Sequence, residues 1–208
     1  GAENFRKIIK RMNRRQHITF CNKMHAMLHL LNSTMFVNAF IIAVLSVPLL
    51  YIKNNCPKLN GYFVMLGFFV ATTLIFFVCY WTMYKARIGS GFRNFITYIV
   101  RFFTFFSFVM GFSLHNTIAV VEGYIGKRSD FIRTPKFNLN ATNKNWKDNK
   151  YISNKLTFRL LFEGILMLYF AFGIYSAFLL GEYGVLLFHC MLFVGFGYVF
   201  LQSLTSRI

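Results

Sequence analysis

The chain has 208 residues, of which 56% are hydrophobic and 20% aromatic, and its 23 Lys and Arg residues outnumber its 6 Asp and Glu residues. This composition excludes a disordered chain, and the grouping of apolar residues into long uncharged segments argues against an ordinary soluble domain. The basic residues alternate with these segments instead of collecting on one soluble module, so no nucleic-acid partner is predicted.

The first predicted element is a basic amphipathic helix within residues 1–29. Apolar residues repeat there at helical spacing, and lysines and arginines fill the remaining positions. The apolar positions are Phe5, Ile8, Ile9 and Met12. A helix of this kind lies in the membrane interface. Because Gly1 stands where an initiator Met would be expected, we expect the polypeptide to continue upstream.

Five later segments contain no Asp, Glu, Lys or Arg, and each is about long enough to cross a hydrocarbon layer roughly 30 Å thick. They are 30–52, 61–84, 102–121, 164–181 and 183–206. The sequence therefore predicts an all-α integral membrane protein with the lipid bilayer as a partner. Pro48 should kink or end the first span, and Gly195 and Gly197 should permit close helix approach in the last.

The distribution of Lys and Arg decides how many segments cross. If all five cross and the amino terminus is cytoplasmic, 11 basic residues lie inside and 12 outside. If 95–121 does not cross, the division is 21 against 2. The positive-inside bias favours the second arrangement, with four transmembrane helices and both termini in the cytoplasm.

The segment 95–121 itself supports this interpretation. Its polar residues fall on one helical stripe, and Arg101 would be costly near the bilayer centre. The stripe contains Thr97, Arg101, Thr104, Ser107, Gly111 and His115. We predict an interface or bundle-lining helix with both ends in the cytoplasm, and the alternative is a fifth span that extends Arg101 to the headgroups.

The long basic loop 122–159 combines an aromatic residue, a hydroxyl, a proline turn and several cations within 126–137. A loop with these groups can bind a diphosphate and stack an aromatic ring on a base. Composition alone also allows a solvated cytoplasmic loop.

Phe131-Ile132-Arg133-Thr134-Pro135-Lys136 resembles the Phe-x-Val-Thr-x-Lys gating-loop motif of processive, membrane-embedded family 2 glycosyltransferases, the cellulose synthase-like and glucomannan synthase-like enzymes. Residues 1–7 look like the stretch that follows the Gln-x-x-Arg-Trp motif in bacterial members, and residues 25–48 look like their first helix after the catalytic domain. Arg133 stands where the motif usually has Val.

The resemblance implies that Phe131, Thr134 and Lys136, with Arg133, contact the diphosphate of a nucleotide sugar. It implies a bacterial inner (plasma) membrane location and a chain that anchors the synthase, gates it and passes the growing polysaccharide across the bilayer. Its other partner would be an upstream catalytic glycosyltransferase domain. That domain would supply the catalytic residues and use Mg or Mn with the nucleotide sugar, so this chain should be inactive alone and bind no cofactor itself.

The predicted organisation has five parts: an interface helix (1–29), a transmembrane helix pair (30–84), an interface helix or fifth span (85–121), a cytoplasmic gating loop (122–159) and a second transmembrane pair (160–208). Several residues could line a sugar channel or only pack between helices: Asn38, Thr72, Thr73, Tyr169, Tyr175, Tyr183, Tyr198 and Gln202. None of the six acidic residues forms an acid/base pair by spacing. The alternative function is a non-enzymatic multi-pass membrane subunit, a transporter or an assembly scaffold, although we find no internal repeat typical of transporters.

Overall fold

The computed structural model describes residues 5–14, 18–127 and 158–205, apart from the side chains of residues 5, 6, 13, 14, 66 and 69–71. Within these ranges the chain forms eight α-helices and no β-strand. The helices are α1 (Phe5–Arg14), α2 (Phe20–Leu31), α3 (Thr34–Asn55), α4 (Asn60–Ile88), α5 (Phe92–Gly111), α6 (Ser113–Ile125), α7 (Phe158–Leu179) and α8 (Leu186–Thr205). Short 3₁₀ turns at Pro57–Leu59 and Tyr183–Val185 precede α4 and α8.

Four helical stretches in the described residues are long and apolar enough to cross a membrane, as expected for a helical membrane protein. They are Thr34–Asn55, Phe92–Gly111, Phe158–Leu179 and Tyr183–Thr205. Three coincide with the predicted segments 30–52, 164–181 and 183–206. The fourth lies in the segment for which we predicted an interface helix or a fifth span. The predicted span 61–84 lies within α4, where some side chains fall outside the described ones, and it stays a prediction.

The contacts between helices define their directions. Residues of α3 pair with residues of α7 in increasing order, Val44 with Tyr169 and Tyr51 with Ser176, so these two helices are parallel. Helix α8 is antiparallel to α7, because the ring of Phe170 stacks on Phe196 whereas His189 lies against Gly173. The core lies between these helices and α6 and contains Ala43, Leu114, Leu166, Phe170, Leu192 and Phe196.

Pro48 does not end the first predicted span, since α3 continues past it to Asn55. Proline has no N–H to donate, so the carbonyl of Val44, four residues earlier, loses its helical partner. The Tyr169 hydroxyl donates to that carbonyl oxygen at 2.6 Å. A side chain of α7 thus satisfies the group that Pro48 leaves free and holds α3 against α7.

The segment predicted as one continuous helix over 95–121 is two helices, α5 and α6, which meet at Phe112. Helix α5 is antiparallel to α8, with Phe108 against Tyr198 and Gly111 against Gly195. Helix α6 packs mainly on α3, where the Thr117 hydroxyl donates to the Phe36 carbonyl, and reaches α7 through side chains. The continuous prediction was wrong because residues on both sides of Phe112 favour helix, and the change of direction depends on which neighbours each half packs against.

These directions give the bundle two distinct ends. At one end, here called the basic end, α4, α6 and α8 finish and α3, α5 and α7 begin. The described helix ends there carry Lys85, Arg87, Arg93, Lys127 and Arg159. At the opposite end, the far end, Lys53 forms an ion pair with Glu182, and Lys58 lies in the short 3₁₀ turn. The charge of the described helix ends is therefore concentrated at the basic end.

Candidate functional site

The four residues predicted to contact a nucleotide diphosphate, Phe131, Arg133, Thr134 and Lys136, lie outside the described residues. The structure does define the two points from which their segment extends, Lys127 after α6 and Phe158 at the start of α7. Both points are at the basic end. The candidate functional site is therefore the base of the 128–157 segment, formed by the end of α6 and the beginning of α7.

One carboxylate connects the two sides of this base. Glu122 Oε1 lies 2.7 Å from Lys127 Nζ and 3.9 Å from a guanidinium nitrogen of Arg159. The hydrogen bond from Lys127 lowers the pKa of Glu122 against a smaller opposing effect of desolvation, and the charges of Lys127 and Arg159 lower it further. Glu122 therefore stays ionised at neutral pH and can hold both cations beside the ends of the segment.

The end of α6 explains how Lys127 reaches Glu122. Gly126 adopts a left-handed conformation with φ of +84°, which glycine takes without strain. Its N–H and that of Lys127 donate to the Glu122 carbonyl at 3.1 and 3.0 Å, so the chain folds back over the last turn of α6. The Lys127 side chain consequently lies next to the Glu122 carboxylate.

Behind the base, towards the core, lies a second pair of titratable side chains. Glu163 of α7 is 1% exposed, and its Oε1 atom lies 3.3 Å from Nε2 of His115 in α6. Glu163 follows Arg159 by one helical turn and His115 precedes Glu122 by two, so the two pairs are stacked along the same α6–α7 contact. This register also shows that α6 is antiparallel to α7.

The inner pair is only partly satisfied. Glu163 Oε2 and His115 Nδ1 are buried and have no hydrogen-bond partner within the described part of the chain. Buried polar atoms without partners are costly, and ionisable groups inside a membrane protein commonly bind or transfer a proton or a polar ligand.

Sequence reasoning missed this pair. Glu163 and His115 are 48 positions apart, and spacing along the chain does not predict the contact between α6 and α7. A usable signal was present, because Glu163 directly precedes an apolar segment and His115 lies on the polar stripe of 95–121. An ionisable residue within an apolar helix requires a partner, and these two are the natural candidates for each other.

The proposed channel residues occupy different environments. Tyr169 donates to the Val44 carbonyl, and Tyr198 packs on Phe108 with ring centroids 4.5 Å apart. Tyr175 and Tyr183 are exposed, and so is Tyr198 on the side away from Phe108. The four remaining candidates also lie at exposed helix positions: Asn38, Thr72, Thr73 and Gln202. The first two tyrosines therefore contribute to helix packing.

A second buried polar cluster lies nearer the far end, between α3, α7 and α8. His189 is fully buried, and its Nε2 atom lies 2.9 Å from the Ser46 hydroxyl, which also contacts the Ala43 carbonyl. The Tyr51 and Ser176 hydroxyls are 2.8 Å apart in the same region. These bonds connect three helices and fix their register.

Comparison with known proteins gives no functional lead: no protein-family model, curated protein or solved structure matches the chain.

Proposed function

We propose that this chain is the membrane-anchoring, gating and glycan-translocating portion of a polysaccharide-synthesising family 2 glycosyltransferase that uses a nucleotide sugar. The catalytic domain, its Mg or Mn and its catalytic residues would belong to the polypeptide upstream. The active unit would be the complete synthase, located in the bacterial inner membrane.

The observation that carries the proposal is where the motif-bearing segment is attached. Residues 128–157 leave α6 and return at α7, and the carboxylate of Glu122 contacts cations on both sides of that base. A segment held at its two ends can move over a bound ligand while its base stays fixed. This is the attachment that a gating loop needs.

The distribution of charge supports the same assignment. The basic end carries most of the cations of the described helix ends, so the positive-inside bias assigns it to the cytoplasm, where nucleotide sugars are found. Helices α5 and α6 begin and end at this end, so the pair enters the bundle and returns. Because the chain returns through α6, α5 can be long enough to span a membrane while the predicted charge division of the whole chain stays 21 against 2.

In the proposed closed state, Phe131 packs against the nucleotide base, Thr134 donates a hydrogen bond to a phosphate oxygen and Lys136 adds a charge-assisted contact. Arg133 contributes a second cation or contacts the acidic rim of the catalytic domain. Lys136→Ala should reduce turnover or nucleotide affinity roughly tenfold or more, because a charge-assisted hydrogen bond contributes about 1.5–3 kcal/mol.

The test uses membranes that contain the complete reading frame in which this chain lies. They are supplied with Mg²⁺ or Mn²⁺ and, in separate reactions, labelled nucleotide sugars, and incorporation into polymer is measured. The matched control is Lys144→Ala, which removes the same charge from the same segment outside the motif and should have little effect. Equal losses for the two variants at matched protein levels would show that the segment acts only as a cationic anchor.

A non-enzymatic membrane subunit is the alternative. The contact between the buried Glu163 and the partly exposed His115 is the observation that favours it, since such pairs occur in proton-coupled transporters. The same membranes distinguish the two functions. Failure to incorporate any nucleotide sugar, together with an upstream reading frame that lacks Asp-x-Asp and Gln-x-x-Arg-Trp, would favour this alternative.

A further inference from the structure

A groove between α4 and α5 carries two arginines without an acidic partner. The cavity in this groove has a volume of about 360 Å³ and lies between the last turns of α4 and the middle of α5. Its walls are mainly aromatic and include Tyr80, Met83, Tyr84, Tyr98, Phe102 and Phe105. Arg87 and Arg101 also line it.

Arg101 is unusual because it lies within a helix otherwise apolar enough to span a membrane. Its guanidinium donates to the Tyr84 hydroxyl at 3.3 Å and lies 5.8 Å from the centre of that ring. These contacts orient the cation at the groove but do not neutralise it.

No carboxylate in the described ranges forms an ion pair with either arginine. Glu122 pairs with Lys127 and Arg159, Glu163 with His115 and Glu182 with Lys53. Any anion that pairs with Arg87 and Arg101 would therefore come from outside the described part of the chain.

The position of the groove indicates the source of that anion. The register between α5 and α8, continued from Phe108 and Tyr198, places Arg101 level with Thr205, the last residue of α8. Arg87 is the penultimate residue of α4. Both cations therefore lie at the boundary of the bundle, where phospholipid phosphates lie. The apolar walls extend from there along the helices, and Tyr80, Met83 and Phe105 are exposed.

We propose that this groove binds an anionic phospholipid, with its phosphate between Arg87 and Arg101 and an acyl chain along the aromatic walls. A soluble phosphate matches the cations but leaves the apolar walls uncovered, whereas a phospholipid matches both. This site is independent of the function proposed above, because it uses neither the 128–157 segment nor a nucleotide sugar.

Trp81 provides a reporter for the groove. Its ring lies 6.1 Å from that of Tyr84 and 5.3 Å from that of Tyr98, centre to centre, and both tyrosines line the cavity. The chain has 2 tryptophans, so Trp146→Phe leaves Trp81 as the sole indole. Bromine atoms on lipid acyl chains quench indole fluorescence at short range, so quenching of Trp81 measures lipid occupancy beside it.

The experiment reconstitutes the full chain with Trp146→Phe into phosphatidylcholine vesicles. A small fraction of the lipid is replaced by acyl-brominated phosphatidylglycerol or by acyl-brominated phosphatidylcholine, and Trp81 quenching gives the relative affinity. The anionic lipid should be preferred about tenfold or more, and Arg101→Gln or Arg87→Gln should reduce the preference about fivefold each. Arg101→Lys should retain part of it.

The matched control is Arg93→Gln, because Arg93 is exposed at the start of the same helix but does not line the cavity. If Arg93→Gln reduced the preference as much as Arg101→Gln, the effect would be general surface charge and the proposed site would be wrong. Equal quenching by the two brominated lipids would also overturn it. If inorganic phosphate at constant ionic strength abolished the preference, the groove would bind a soluble phosphate instead. Should Arg101→Gln not reconstitute, Arg87→Gln, at the end of α4, gives the same test.

Discussion

The Glu163 carboxylate is almost completely buried, and His115 is its only ion-pair partner among the described residues. Removal of His115 leaves the Glu163 carboxylate buried without its partner, whereas the His115 side chain is 36% exposed and can meet water when Glu163 is removed. The link between α6 and α7 should therefore be weakened most when His115 alone is lost. This reasoning distinguishes the buried Glu163 carboxylate from the more exposed Glu122–Lys127 ion pair, in which both side chains retain contact with water.

We predict that His115→Phe lowers the free energy of unfolding by about 3–5 kcal/mol, because it leaves a buried carboxylate without its partner. Adding Glu163→Leu should restore part of that loss, so the double variant is more stable than His115→Phe alone. Thermal or denaturant unfolding of the reconstituted protein measures both effects. Lys127→Met, in the more exposed pair with Glu122, is the control and should cost only about 0–1 kcal/mol. Strictly additive effects of the two substitutions would mean that His115 and Glu163 do not interact.

At the scale of helices, the crossing of α5 and α8 depends on glycines. A Cβ atom at Gly195 would lie 2.0 Å from the Ser107 carbonyl oxygen, and one at Gly111 would lie 2.3 Å from the Gly195 carbonyl oxygen. Such distances are far below van der Waals contact, so the two backbones touch directly. Helices in membranes associate largely through packing of this type, since lipid tails are as apolar as the side chains they would replace.

Gly195→Ala should therefore force α5 away from α8 and cost about 1–3 kcal/mol or more. Gly197→Ala is a matched control two residues away, because its Cβ would meet only the flexible Met167 side chain, at 3.4 Å. The measurement is disulfide formation between cysteines introduced by Phe108→Cys and Tyr198→Cys, at positions whose rings are now 4.5 Å apart. Cross-linking should fall with Gly195→Ala and persist with Gly197→Ala. Unchanged cross-linking in both would show that this crossing tolerates a side chain.

The sequence predicted where the helices lie better than which helices pack against one another. The length of the uncharged segments alone located α3, α7 and α8. The close helix approach predicted at Gly195 and Gly197 is confirmed at Gly195, whereas a side chain at Gly197 would make only ordinary contact with Met167. The break at Phe112 was missed because local helix preference continues across it. The Glu122 contacts that hold the base of 128–157 were also missed, since they join residues separated by that segment. The residues assigned to the diphosphate lie outside the described ranges, so their role stays a prediction.

At the scale of the whole molecule, the two ends of the bundle differ in charge. The far end has Lys58 and the Lys53–Glu182 ion pair, whereas the described helix ends at the basic end carry Lys85, Arg87, Arg93, Lys127 and Arg159. A fifth crossing would place the base of 128–157 outside, against the positive-inside bias. Return of the chain through α6 avoids that conflict, because α5 and α6 together begin and end at the basic end.

We predict that a membrane-impermeant thiol reagent added to intact cells labels a cysteine at Asn55 but not one at Asn143. Asn55 ends α3 at the far end and is exposed, while Asn143 belongs to the segment attached at the basic end. The substitutions Asn55→Cys and Asn143→Cys are made separately, in a background in which the 4 native cysteines are replaced. Labelling after the cells are opened is the control and should reach both positions. Outside labelling of Asn143→Cys in intact cells would require a further crossing between α4 and α7, and the return of the chain through α6 would then be wrong.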